Sequence, residues 1–179
     1  MIMKLKLFPC LLLTAFLLTA GFLSSNAQGG ARQSPKMTAT GKIGEANITI
    51  TYSSPAVKGR NIWGGLVPYG KVWRAGANEA TIFETDKDVM VEGKKLAAGK
   101  YSLYALPGEK EWQFIFNSQT GQWGIERSGE TTRKADKDVL VVNVKPQVTS
   151  SMEESLLYQV NGKGIVLKWE KLEVPVSIK

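Results

Sequence analysis

Histidine is absent from all 179 residues. That removes the commonest general base at neutral pH and the commonest zinc ligand. Ser–His–Asp triads, Cys–His pairs and imidazole metal sites go with it. Cysteine occurs once, at Cys10, inside an apolar N-terminal run. Without that run the chain has no disulfide, no thiol nucleophile and no thiolate metal site. There is also no dense stretch of Lys and Arg of the kind that tracks phosphates. The basic residues are interleaved with acids, so the net charge of +7 reads as a solvated, mildly basic surface and not as a nucleic-acid interface. No segment after the N-terminal run repeats apolar residues at a 3.6 period over ten or more positions, so no amphipathic helix is expected. Asp86, Asp88, Asp136 and Asp138 lack the alternating acidic layout and glycine of a calcium loop and read as turn formers. No metal and no cofactor is expected.

The N-terminus has the layout of a secretory leader. Lys4 and Lys6 precede a mostly apolar run, Leu7–Leu23, and Ser25–Asn26–Ala27 supplies small residues at the first and third positions before a cut. Cys10 follows Phe8 and Pro9, away from the cleavage point, which argues against a lipid anchor. Residues 1–27 are therefore read as a signal peptide, cleaved after Ala27, with no membrane span left afterwards. The expected location is periplasmic or secreted. Removal leaves 179 − 27 = 152 residues with a net charge of +7 − 2 = +5, long enough for one domain held together by its core. Gln28–Lys36 reads as a flexible tail and residues 37–179 as the domain.

That domain is expected to be all-β. Ile48, Ile50 and Tyr52 alternate with Asn47, Thr49 and Thr51, the period of a half-buried strand. Gly44–Glu45 before them suits a type II′ hairpin turn. Trp112, Phe114 and Phe116 share one face of a later strand. Val139–Val144 is nearly all apolar and reads as a central strand buried on both faces. Asn161–Gly162 marks another hairpin, and Pro175 makes the last strand an edge or bulged one. Eight to ten short strands with regular turn signals predict a single antiparallel β-sandwich or jelly-roll-like domain.

One stretch does not fit the strand pattern. Arg60 to Thr81 is long, rich in Gly and Trp, and lacks alternation. A second irregular stretch runs from Asn117 to Thr131 with Trp123 in it. Flat aromatic rings on loops bind sugar faces or other apolar surfaces, so Trp63, Trp73 and Trp123, with Tyr69, are candidate ligand-binding residues. The alternative is that the same rings fold inward and pin two long loops over an open end of the sandwich. Arg74, Asn78 and Glu79 are the polar residues set most closely among small neighbours. Arg74 offers a planar fork of donors for a carboxylate, phosphate or sulfate, with Lys58, Arg60 and Lys71 enlarging a positive rim. Glu79 is the candidate acid or base, or the partner that orients Arg74 in a buried pair.

Tyr52–Ser53–x–Pro55, Val57–Lys58–Gly59–Arg60, the run Gly64–Arg74 and Gly76–Ala77–Asn78–Glu79–Ala80–Thr81 carry a family resemblance. So do Leu96–x–Ala98–Gly99–x–Tyr101–Ser102–Leu103, Trp112–x–x–Ile115–Phe116–Asn117 and Gln122–Trp123–Gly124. The chain resembles the bacterial domain of unknown function 2911 family. Ala97–Ala98 departs from a frequent Pro–Ala, at a turn. The resemblance implies an exported β-sandwich and no particular activity. Three readings stay open. One is a non-enzymatic module that binds a carbohydrate or an anionic small ligand through the 60–81 loop. Another is a histidine-free hydrolase or lyase using Glu79 with Lys71, Tyr69 or Arg74. The third is a structural envelope component. An enzyme predicts a raised Glu79 pKa, a glycan binder exposed coplanar tryptophans, and a structural role buried ones.

Overall fold

The computed structural model describes residues 32–179. The leader, its cut after Ala27, Cys10 and the start of the tail lie outside the described residues. Ten strands follow: β1 (Lys36–Ile43), β2 (Ala46–Ser53), β3 (Thr81–Thr85), β4 (Val89–Val91), β5 (Lys94–Leu96), β6 (Gly99–Leu106), β7 (Trp112–Asn117), β8 (Asp138–Val144), β9 (Gln147–Asn161) and β10 (Gly164–Ser177). One 3-10 turn, Ala135–Lys137, interrupts them. The first layer is a six-stranded antiparallel sheet in the order β1-β2-β3-β6-β7-β8. The long β9–β10 hairpin faces it and is extended by the small β4–β5 hairpin, which meets the chain end through a Val91–Ile178 bridge.

Alternation decides which face is core. Ile48, Ile50 and Tyr52 are buried on β2, with Phe83 on β3, Leu103 on β6 and Trp112, Phe114 and Phe116 on β7. Leu156, Tyr158, Leu167, Trp169, Val174 and Val176 meet them from β9 and β10. Each such side chain contributes about 1.5–3 kcal/mol by leaving water. Edge-to-face rings add geometry to this burial: Phe83 on Phe116 at 5.2 Å within the sheet, and Tyr52 on Tyr158 at 4.9 Å between the layers. The β1–β2 turn has Gly44 at φ 57° with Glu45 not in the left-handed region, as a II′ turn requires.

Two local expectations differ from the structure. Val139–Val144 lies in β8, which is an edge of the main sheet: Val139 is 49% exposed, and only Leu140, Val142 and Val144 are buried. The strands buried on both faces are β6 and β7. Tyr104, Ile115 and Ala80 form a second small cluster on their outer side, covered by residues 119–134, whose Gln122 Nε2 donates to Ser102 Oγ and Tyr104 OH. Apolar composition could not show that a loop, and not a neighbouring strand, supplies this cover. The last strand, β10, is bulged and belongs to a two-stranded sheet, in line with the edge or bulged strand expected from Pro175. β10 bends at Glu170, a left-handed residue with φ 57° between two register shifts. Its ends come together, so Ile178 N–H donates to Lys163 O at 3.0 Å. At that closure a Cβ on Gly164 would sit 2.0 Å from Val176 O, which only glycine avoids. The second difference is at residues 32–36, which are not a loose tail. Pro35 O accepts from Ser54 N–H at 2.8 Å, Ser34 O accepts from Asn78 Nδ2, and Lys36 begins β1.

Candidate functional site

Residues 54–80 connect β2 to β3 without regular structure, yet nearly every turn of this loop is tied down. Ile62, Gly64, Gly65 and Val67 make a tight hydrogen-bonded knot, closed by the Val67 N–H to Ile62 O bond at 2.9 Å. Gly70 N–H then reaches Pro107 O, and Trp73 exchanges both backbone hydrogen bonds with Ala105, at 2.7 and 2.8 Å, so this part of the loop is docked on β6. Buried backbone groups need such partners wherever a loop is covered.

The turn that follows holds Arg74. Ala75 is fully buried with φ 51°, and Asn78 also has a positive φ, of 58°. Non-glycine residues in this region are strained by about 1–3 kcal/mol and need surroundings that fix them. Here the fixing groups are visible. The Ala75 carbonyl accepts from Tyr158 OH at 2.9 Å and from Thr81 Oγ1 at 3.0 Å. Burial pushes the Tyr158 phenol well up, so it stays a protonated donor. Gly76 O accepts from Trp73 Nε1 at 3.0 Å, and Gly76 has no room for a side chain, since a Cβ would lie 2.7 Å from Thr81 Oγ1.

The loop tryptophans turn inward. Trp73 stacks on Trp169 of β10 with ring centroids 6.0 Å apart and planes 18° apart. Trp63 meets Trp73, Trp112 and Trp169 edge-on at 6.0, 4.9 and 5.6 Å. The four rings join the loop to both layers. Trp123 stands apart from them and is 51% exposed. Its backbone bridges Glu79, and Gly124 N–H donates to Asn78 O at 2.9 Å, which draws the second irregular stretch alongside the first. Beyond it, Ile125–Thr131 forms a small overhanging hairpin.

Between that hairpin and the first loop lies a cleft of about 580 Å³. Lys58, Arg60, Lys71 and Arg74 line it, against a single lining acid, Glu130. Glu130 faces Lys71 at 3.4 Å, both of them exposed. The guanidinium of Arg60 is already committed to the carbonyls of Ala56 and Val57. Arg74 is different. Its stem packs so closely on Gly124 that a Cβ there would come within 2.3 Å of Arg74 Cδ. Its Nη1 is buried without a hydrogen-bond partner, and among the described residues Arg74 has no ion pair. Burial lowers its pKa, a sign of a desolvated cation without a compensating charge.

The anticipated Arg74–Glu79 pair does not form. Glu79 instead takes a bidentate ion pair from Arg32, at 2.6 and 3.0 Å, and accepts from Ser53 Oγ at 3.3 Å. Arg32 holds the Glu79 carboxyl down at about 2, the opposite of the shift an acid–base catalyst at neutral pH requires. Glu79 also does not line the cleft. It borders a separate hollow of about 50 Å³ with Lys36 and Tyr52. Arg32 lies in the segment read as a tail, so nothing in the local sequence marked it as the partner. Arg74, Asn78, Lys71 and Trp73 are thus brought together in the cleft. Trp63 lies behind Trp73, while Tyr69 is exposed against Gly64 and Trp123 faces solvent elsewhere. The cleft adds residues that sequence reading did not select: Trp169, which alternation placed in the core, together with Gln33, Ser34 and the 125–131 hairpin. Only the Ser128–Gly129 pair carried a local signal, that of a turn. No group of acids able to hold a metal ion occurs among the described residues, and no helix there is long and apolar enough to cross a membrane.

The family model described as "Protein of unknown function (DUF2911)" matches residues 34–178, a span that contains all ten strands and both loops of the cleft. No curated protein and no solved structure matches the chain.

Proposed function

We propose, starting from a chain that belongs to the DUF2911 family, that it is an exported binding module whose cleft receives a small anionic ligand on Arg74. The observation that carries this reading is Arg74 itself, a part-buried cation with no ion pair among the described residues, lining a cleft where cations outnumber acids four to one. A desolvated charge without a partner is costly. A carboxylate, phosphate or sulfate arriving on the guanidinium would supply two acceptors in the geometry its fork is built for. Lys58 and Lys71 at the rim raise the local concentration of anions. The strained turn at Ala75 and Asn78 is consistent with a site that holds its clamp ready before ligand arrives. A carbohydrate platform is less well supported, since Trp63 and Trp73 spend their faces on other rings.

The structural-component reading draws on those same inward tryptophans, and one experiment separates the two. Thermal shifts of residues 28–179 are measured with inorganic phosphate, sulfate, acetate and neutral sugars, for the unaltered chain and Arg74→Gln. Anion binding predicts stabilisation by at least one oxyanion and none by the sugars, lost in Arg74→Gln. Stabilisation by no oxyanion leaves the structural reading in its place.

A further inference from the structure

The wall of the cleft carries more than charge. Leu66, Val67, Pro68, Val72, Trp73 and Ile125 face the same space as the cations. Leu66 is 47% exposed although it sits in a loop otherwise tied down by backbone hydrogen bonds. The volume, about 580 Å³, falls in the range of organic ligands of tens of atoms, and a bare oxyanion would leave most of it filled with water. Some polar groups beside the apolar wall already have partners. Asn78 Nδ2 donates to Ser34 O, Ser128 Oγ accepts from Glu130 N–H, and Glu130 faces Lys71. The stacked pair Trp73 and Trp169 turns its facing sides to itself and not to a sugar ring.

Resting on the anion reading above, we infer that the ligand is an amphiphilic anion: an oxyanion head held by Arg74, attached to a short aliphatic or aromatic body that covers Leu66 and its apolar neighbours. The head fixes orientation through charge-assisted hydrogen bonds. The body supplies affinity by removing apolar surface from water.

The test is calorimetric titration of residues 28–179 with inorganic phosphate, phenyl phosphate, hexyl phosphate, glucose 1-phosphate and hexanol, repeated on Leu66→Ser and Arg74→Gln. Phenyl or hexyl phosphate is expected to bind at least tenfold more tightly than inorganic phosphate and glucose 1-phosphate. Leu66→Ser should remove that preference while leaving inorganic phosphate unchanged, and it should fold normally because Leu66 is exposed. Arg74→Gln should weaken every phosphate ligand. Equal affinity for inorganic and alkyl phosphates, or a preference for the sugar phosphate, overturns the amphiphile and leaves the anion site standing. Binding of hexanol alone, or of nothing, overturns the anion site and the amphiphile together.

Discussion

Replacing Arg74 by methionine should make the ligand-free protein more stable. The guanidinium has a buried Nη1 without an acceptor and, among the described residues, no acid beside it. An unsatisfied buried donor costs about 1–3 kcal/mol. Arg74 is only part-buried, so the lower end, about 1 kcal/mol, is the reasonable figure. Methionine keeps an unbranched aliphatic stem against Gly124, where contacts are closest, and its thioether needs no partner. Little packing is lost and one desolvated charge is removed. The expected gain of about 1 kcal/mol corresponds to a rise in Tm of about 3 °C for a domain of this size. The assay is urea unfolding followed by tryptophan fluorescence, which the four-ring cluster makes sensitive to loss of tertiary packing. A higher midpoint at constant slope reports a change in stability alone. Lys71→Met, which removes only an exposed pair at 3.4 Å, serves as the neutral control. A loss of about 1 kcal/mol or more in Arg74→Met refutes the reasoning, because it would mean that the guanidinium holds the loop together and that the cleft's cation is architecture.

Two further outcomes follow from neighbouring geometry. Trp63 Nε1 has no acceptor whereas Trp73 Nε1 donates to Gly76 O, so Trp73→Phe should cost about 1 kcal/mol more than Trp63→Phe in the same unfolding assay; equal losses would mean that the hydrogen bond contributes nothing net. The Glu79 carboxyl is depressed from 4.5 to about 2 by Arg32. A lowered folded pKa gives stability that is present above the ordinary carboxylate value and lost as pH falls from about 4.5 through 2. Arg32→Gln should accordingly be less stable than the unaltered chain at pH 7, and acid unfolding curves of the two should converge near pH 2. A constant difference across that range would show that Arg32 acts through something other than this pair.

Sequence alone determined the β class, the hairpins at Gly44 and near Asn161, and the place where regular structure stops. These are local matters: a period of two decides the face of a strand, and Gly or Pro decides where backbone can turn. It also offered Arg74 and Lys71 as candidate ligand-binding residues on a long loop, and folding brings both to the lining of one cleft. Partnership was not legible. Whether Glu79 meets Arg74 or Arg32 depends on a segment more than forty residues away lying across the turn, and no spacing rule encodes that. The same holds for the tryptophans. Trp63 and Trp73 carry the residue type of a sugar platform, and only the arrival of Trp112 from β7 and Trp169 from β10 turns their faces inward. Strand β8 has the composition of a buried strand and ends at a sheet edge, because composition reports how apolar a strand is and not which element lies beside it. The cleft is likewise a tertiary product. Its walls come from two loops, residues 33–34 and β10, and the charge at Arg74 is unpaired because folding brings no acid to it among the described residues.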